Sequence, residues 1–407
     1  FARYHREHMN KISQRILDLS ESATIAMSRR SREMREQGLD VISLSLGEPD
    51  FETPDFVRQA AKEAIDIGYS HYPPIPGYQD LRQAIADKLK RDNGLDYTAN
   101  QIVVSTGAKQ SLANVILCTV DPGDEVLLPA PYWVSYYEQI RLAGGKPVII
   151  PTAIENDFKV TRSDLEKYHT DQTKLVIFSS PCNPSGSVFS KDDLAEIADY
   201  LKAHPNVIAV SDEIYELINF KSQHVSLASF SEIYDQVVTV NGLSKGFAMT
   251  GWRIGYIAAP QEIADACVKM QGQFTSATSS IAQRAALAAL QADPSEMDYM
   301  KEAFEERRAK VGEWLREIPG LKVNQPEGAF YFFPDVSALF GSSIGGRKIN
   351  NAADLCMYLL EEALVALVPG DAFGSPECIR ISYASSLKDL ETALSRIKAA
   401  IEKLDHA

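Results

Sequence analysis

Four short segments of this 407-residue chain place polar or charged residues directly after apolar, β-branched runs, where an open α/β sheet delivers side chains to a ligand crevice. Thr106-Gly107-Ala108-Lys109 follows Ile102 to Ser105 and leads into a helical stretch. Free backbone N–H groups and a positive dipole end there would seat a phosphate, although the same string also reads as an ordinary turn. Ser211-Asp212-Glu213-Ile214-Tyr215 follows Val207 to Val210 and puts a carboxylate at the crevice; a helix cap is the plainer reading of that aspartate. Ser179 to Gly186 holds two X-Pro bonds, either one a candidate for the cis isomer, and a glycine. Such a segment makes a rigid turn that aims Asn183 at the crevice, or else a plain loop. Lys245 comes after Val237 to Val240. Most lysines are solvated surface charges, and only its place behind a buried strand singles this one out.

The elements that must position these residues alternate from about Gln101 onward. Short β-branched runs at Ile102 to Ser105, Glu125 to Leu128, Pro147 to Ile150, Leu175 to Ser179 and Val207 to Ser211 are separated by helical patterns, which predicts a mainly parallel sheet covered on both faces. Val237 to Val240 and Trp252 to Ala258 are joined by too few residues for a crossover helix, so that pair is expected to be antiparallel and the sheet mixed. Between Pro294 and Pro319, Met297, Met300, Phe304, Val311, Leu315 and Ile318 recur at helical spacing and mark one long amphipathic helix bridging two domains. Strands at Ala329 to Phe333, Val365 to Val368 and Ile379 to Tyr383, then a last helix with Leu387, Leu390, Leu394, Ile397, Ile401 and Leu404 on one face, read as a smaller α+β unit.

The length exceeds the ~250–300 residues at which a single core stops growing, so two domains are expected. An arm and part of the small domain would occupy 1–46, the large domain 47–290, and the interdomain helix with the small domain 291–407. With 45% hydrophobic and 24% charged residues the chain is globular in composition. Its net charge of −14 is spread along the chain, and the basic cluster Arg29, Arg30, Arg32 and Arg35 is interleaved with Glu33 and Glu36, which argues against a nucleic-acid surface. Five scattered cysteines without metal-type spacing fit free thiols of a reducing compartment. No apolar run reaches the ~18 residues of a membrane span, and the charged start lacks a signal-peptide core, so a cytoplasmic location is expected. Met9 is expected to be the natural first residue, with 1–8 an added segment.

One longer string is more specific. Ser244-Lys-Gly-Phe-Ala-Met-Thr-Gly-Trp-Arg253 resembles the lysine segment of class I/II aminotransferases, pyridoxal-phosphate (PLP) enzymes of fold type I. Ser45 to Phe51, Tyr72 with its Pro-Pro, Pro131 to Ser135, Asn183 to Gly186, Ser211 to Tyr215 and Arg380 to Tyr383 match in family order across nearly the whole chain, most similar to bacterial aspartate aminotransferases of the Thermus type.

The resemblance implies a role for each matching residue. Lys245 would carry PLP as a Schiff base and then shuttle the substrate proton. Asp212 would keep the pyridine nitrogen protonated, Asn183 and Tyr215 would hydrogen-bond the phenolic oxygen, and Trp133 would stack on the ring; without the resemblance Trp133 reads equally as a core aromatic. Gly107, Ala108 and the neighbouring Lys109, with Arg253, would take the phosphate, and Tyr72 and Thr275-Ser276 would reach the phosphate of a neighbouring subunit, giving a homodimer with shared sites. Arg380, otherwise a sheet-surface arginine, would fork onto the substrate α-carboxylate, with Gly47 allowing close backbone approach.

Two departures bear on the phosphate and on specificity. Gly242 stands where many relatives carry a serine three residues before the lysine, and Gly272 to Ser280 contains no arginine for a distal carboxylate. Lys109 could bind that carboxylate instead, or be a helix-start surface lysine. The implied reaction is ping-pong transamination, with L-aspartate as donor and 2-oxoglutarate as acceptor. An aromatic-amino-acid or prephenate aminotransferase, or a PLP lyase using the same electron sink, are the rivals.

Overall fold

The computed structural model describes residues 12–405 apart from Ser222; the expectation concerning Met9 and the segment before it lies outside them. Seven strands form the central sheet: β1 (Ile102–Thr106), β2 (Glu125–Ala130), β3 (Lys146–Pro151), β4 (Thr173–Ser179), β5 (Ile208–Asp212), β6 (Val237–Gly242) and β7 (Ile254–Ala258). Their spatial order is β1-β7-β6-β5-β4-β2-β3. β7 runs antiparallel to both β1 and β6, and the other pairs are parallel. The expected mixed, mainly parallel sheet is therefore present, and the short β6–β7 connection is the reason for the reversal.

Alternation along each strand feeds two separate cores. Ile102 and Val104 join the core on one face, with Val176, Ala209, Tyr256 and Ala258. Val103 joins the other, with Val126, Leu128, Ile177, Val210 and Ile257. Burial on both sides is why these runs are continuously apolar rather than alternating. Each fully buried Val, Ile or Leu contributes roughly 1.5–3 kcal/mol, so the strand ends are held on a rigid base.

The long helix begins later than its apolar pattern does. A 3₁₀ turn occupies Pro294–Met297 and the α-helix runs Asp298–Arg316, with Met300, Phe304, Val311 and Leu315 on its buried face. The expected strand over Val365 to Val368 is two. Val365–Ala366 pairs in parallel with Ile42–Ser43, whereas β9 (Val368–Pro369) pairs with β10 (Ile379–Ser382), which in turn pairs with β8 (Tyr331–Phe332). The chain ahead of Gly47 is thus hydrogen-bonded to the chain beyond 291, and Ser382 N–H donates to Leu44 O at 2.9 Å.

Candidate active site

The carboxyl ends of β1, β4, β5 and β6 open into a cavity of about 300 Å³. Gly47, Ala108, Lys109, Trp133, Asn183, Asp212, Tyr215, Lys245, Arg253 and Arg380 all line it. Of the residues expected at a site, Gly107, Tyr72 and Thr275-Ser276 do not: Gly107 caps the helix behind the cavity, Tyr72 is 96% exposed on the surface of its own chain, and Thr275-Ser276 follows the helix Gln261–Phe274.

Asp212 is no helix cap. It ends β5, is followed by a tight turn, and is 4% exposed. Its Oδ1 accepts from Ile214 N–H at 3.2 Å and its Oδ2 from Tyr136 Oη at 2.6 Å. Loss of water pushes the carboxyl up to about 6, while the Tyr136 and Ile214 hydrogen bonds work in the opposite sense. Lys245 Nζ donates to Gly47 O, and burial brings the ammonium down to about 8, partly countered by Glu48. A lysine so shifted offers an appreciable neutral fraction near pH 7, as an attacking amine requires.

The turn expected at Asn183 contains cis bonds at both Ser180–Pro181 and Asn183–Pro184, and Ala130–Pro131 is cis as well. Asn183 Oδ1 accepts from Arg380 Nη1 at 2.9 Å, which leaves its amide N–H groups to donate. Arg380 also donates from Nη2 to Ser45 O at 2.6 Å, and its Nε has no partner. Because Ile379 and Ile381 are buried too, β10 is covered on both sides and Arg380 is only 1% exposed; it is not a sheet-surface arginine. Among the described residues no carboxylate pairs with this guanidinium, which lies over Tyr331 and Phe373. A buried cation of that kind is costly unless an anion joins it.

A second anion seat forms at the helix Ala108–Thr119. Its N-cap Gly107 has φ 82°, and a Cβ there would strike the Arg253 guanidinium at 2.3 Å, so glycine is what lets Arg253 lie over the helix start. Arg253 donates only to backbone carbonyls, Thr250 O at 2.8 Å and Thr106 O at 3.4 Å. Lys109 Nζ stands 5.0 Å from the Trp133 ring centroid, and burial together with the Arg253 charge lowers its ammonium.

Five contributors escaped sequence reasoning. Tyr136 looks like a core aromatic because it lies in the apolar pattern of the helix Val134–Leu142. Tyr331, whose Oη is 2.7 Å from Tyr215 Oη, sits inside the apolar run Ala329 to Phe333. Ser22, Thr24 and Ile25, at the start of the helix Ala23–Glu36, reach the cavity only through tertiary packing. The departure at Gly242 has a steric cause: a Cβ would meet Ile254 O at 2.7 Å, so no serine fits, and Ser244 and Thr250 are the hydroxyls of that stretch that line the cavity.

Comparisons with known proteins agree with this geometry. The family described as "Aminotransferase class I and II" matches residues 39–397. The chain is 48% identical over 395 residues to a bifunctional aspartate aminotransferase and glutamate/aspartate-prephenate aminotransferase of Petunia hybrida, covering 96% of this chain and 82% of that protein. It is 44% identical to an aspartate/prephenate aminotransferase of Cereibacter sphaeroides, covering 95% and 98%. Among solved structures, the aspartate aminotransferase of Thermus thermophilus with maleate superposes with a TM-score of 0.91 at 38% identity, covering 96% of this chain and all of that one.

Proposed function

The chain belongs to the class I and II aminotransferases, and from that premise we propose that it moves the amino group of L-aspartate to 2-oxoglutarate through PLP held on Lys245. The observation that carries the substrate half of this reading is Arg380. Its guanidinium is buried, unmatched by any acid among the described residues, and has an orphaned Nε beside Asn183 and Lys245 in one cavity. An amino-acid α-carboxylate supplies the missing charge and two acceptors in the fork geometry.

The same cavity fits the cofactor. Arg253 and the free N–H groups of the first turn at Ala108 and Lys109 suit a phosphate dianion. Asp212 suits a protonated ring nitrogen, and the Asn183 amide with the Tyr215 hydroxyl suits a phenolic oxygen. When bound, PLP supplies an electron-accepting ring for the pair released at the substrate α-carbon. The chain's own residues do the rest. Arg380 would orient the α-carboxylate, Lys245 Nζ would take the α-proton, and Asp212, ionised, would face the ring nitrogen. Lys109, lining the cavity near Trp133, receives the distal carboxylate.

Prephenate in the names of the Petunia and Cereibacter relatives favours a second reading, in which the acceptor is that larger dicarboxylic keto acid. A single ammonium on a flexible stem tolerates a shifted distal carboxylate better than a rigid arginine fork would. We also infer a homodimer. Tyr72 and Phe274 are 96% and 71% exposed on neighbouring segments that Gln271 Nε2 ties together by donating to Ile75 O at 2.8 Å. Apolar side chains that open to water suit a subunit interface, where Tyr72 and Thr275-Ser276 would reach the partner's phosphate. The division at residues 47 and 291 and a cytoplasmic location, in keeping with five free cysteines, complete the proposal. No described helix is long and apolar enough to cross a membrane.

Adding L-aspartate to the PLP-loaded enzyme without a keto acid tests the reading. The absorbance should convert to that of the pyridoxamine form, and 2-oxoglutarate or prephenate should reverse it. Repeated turnover without an acceptor, releasing CO₂ or ammonia well beyond the amount of enzyme, would instead indicate a lyase or decarboxylase.

A further inference from the structure

The turn that carries Asp212 and Tyr215 has a second face. Glu216 N–H donates to Glu213 O at 2.9 Å and Ile218 N–H to Tyr215 O at 2.8 Å, so the chain winds with about three residues per turn. Asp212 and Tyr215 therefore look into the cavity, while Glu213 and Glu216 pass behind it. Glu213 is 1% exposed: Oε1 accepts from Ser211 Oγ at 3.0 Å and Ser226 Oγ at 2.8 Å, and Oε2 meets His224 Nε2 at 3.0 Å. Glu216 accepts from Lys88 Nζ and, at 3.1 Å, from Asn93 Nδ2. Lys88, on the helix Gln79–Asn93, is itself only 4% exposed and also donates to Asn93 Oδ1 at 2.9 Å.

Ligating atoms of Glu213, Glu216 and His224 lie within 4.8 Å of one another. Two buried carboxylates that close repel unless cations stay between them, and the Lys88 ammonium already fills the role a metal would take. Burial works to raise the Glu216 carboxyl, yet Lys88 and His224 outweigh it and hold the group below its ordinary value; Glu213 correspondingly raises His224 against its own burial. None of these four charges touches the cavity that holds the reacting groups.

We propose that Lys88 and His224 are positioning residues for transamination: through Glu216 and Glu213 they fix the turn at 212–216, and so the placement of Asp212 and Tyr215 toward PLP. The inference rests on the cofactor reading above. Binding and orientation of PLP, rather than recognition of the amino donor, are what the buried pairs control.

Four holoenzymes test it: wild type, Lys88→Met, Lys88→Met/Glu216→Gln and His224→Gln. PLP affinity, the pH midpoint of the cofactor absorbance, donor KM against kcat, and the thermal midpoint are measured on each. Lys88→Met strands a buried carboxylate, so PLP affinity should fall about tenfold or more and the absorbance midpoint should move, with donor KM within about twofold. The double variant removes both charges and should restore affinity and midpoint together. His224→Gln should weaken PLP in the same direction by a smaller factor, and it carries the test if Lys88→Met does not fold. Wild-type PLP affinity and absorbance profile in a folded Lys88→Met or in His224→Gln would overturn the proposal, as would a double variant that regains its thermal midpoint without regaining PLP. A wild-type chain that takes up no PLP on Lys245 would sink the functional reading itself, which a normal wild type with unaffected variants would leave standing.

Discussion

Tyr136 Oη donates to Asp212 Oδ2 across 2.6 Å, with both residues withdrawn from water. The bond favours the ionised carboxylate where burial disfavours it, so the phenol offsets part of the larger effect of burial. In the proposed reading Asp212 serves a ring cation only when ionised, so Tyr136 would help decide down to what pH the cofactor is held.

Tyr136→Phe should raise the Asp212 carboxyl further above about 6. A hydrogen bond to a charged group is worth about 1.5–3 kcal/mol, or roughly one to two pKa units. Equilibrium PLP binding followed from pH 8 downward should then fail at a higher pH in the variant by about that amount. Coincident pH profiles would show that Tyr136 only packs.

Asp212→Asn should abolish transamination yet stabilise the apoenzyme. The folded carboxyl titrates near 6 against an ordinary 3.8, so it costs nothing where both states are protonated and the full penalty above the folded value. That penalty is on the order of 3 kcal/mol. The thermal midpoint of the apo variant should exceed the wild type's at pH 7 to 8, and the difference should shrink as pH falls through the window between those two values. A lower midpoint for the variant at neutral pH would contradict the assignment of Asp212 as a strained, ligand-awaiting acid.

Arg380→Lys keeps the charge but loses the fork. One or two charge-assisted hydrogen bonds to the α-carboxylate and the Asn183 contact disappear, which should lower kcat/KM for every amino donor by about 10- to 100-fold, independent of the donor's side chain. Steady-state kinetics with aspartate and phenylalanine check this; a loss confined to aspartate would move Arg380 to the distal carboxylate.

How far the sequence could reveal this site is clearest residue by residue. Thr106, Asn183, Asp212 and Lys245 each lie at or shortly beyond the end of a strand whose apolar run is visible, so topology alone brings them to one edge. Tyr136 and Tyr331 were illegible because a tyrosine buried for its ring and one buried for its hydroxyl leave the same apolar periodicity. Arg380, without the resemblance, reads as a sheet-surface arginine, since alternation cannot show that a strand is covered on both sides. Val365 to Val368 split for a related reason: Val365–Ala366 pairs with Ile42–Ser43 far back along the chain and Val368–Pro369 with Ile379–Arg380 just after it, and no local propensity encodes that division.

In the proposed reading, Lys109 receives the distal carboxylate of an acidic donor. It stands in the first turn of its helix, where the dipole disfavours a cation, and burial followed by the nearby Arg253 lowers its ammonium. No acid among the described residues acts on it, so a ligand carboxylate would offset these effects. Lys109→Ala should therefore cut kcat/KM for aspartate by about 10- to 100-fold, the worth of one charge-assisted contact, and leave phenylalanine within about threefold. The comparison matters more than either rate. If both donors suffer equally, Lys109 serves the phosphate or the Trp133 ring rather than the side chain of the substrate, and discrimination for acidic donors must come from another residue of the cavity or from the partner subunit.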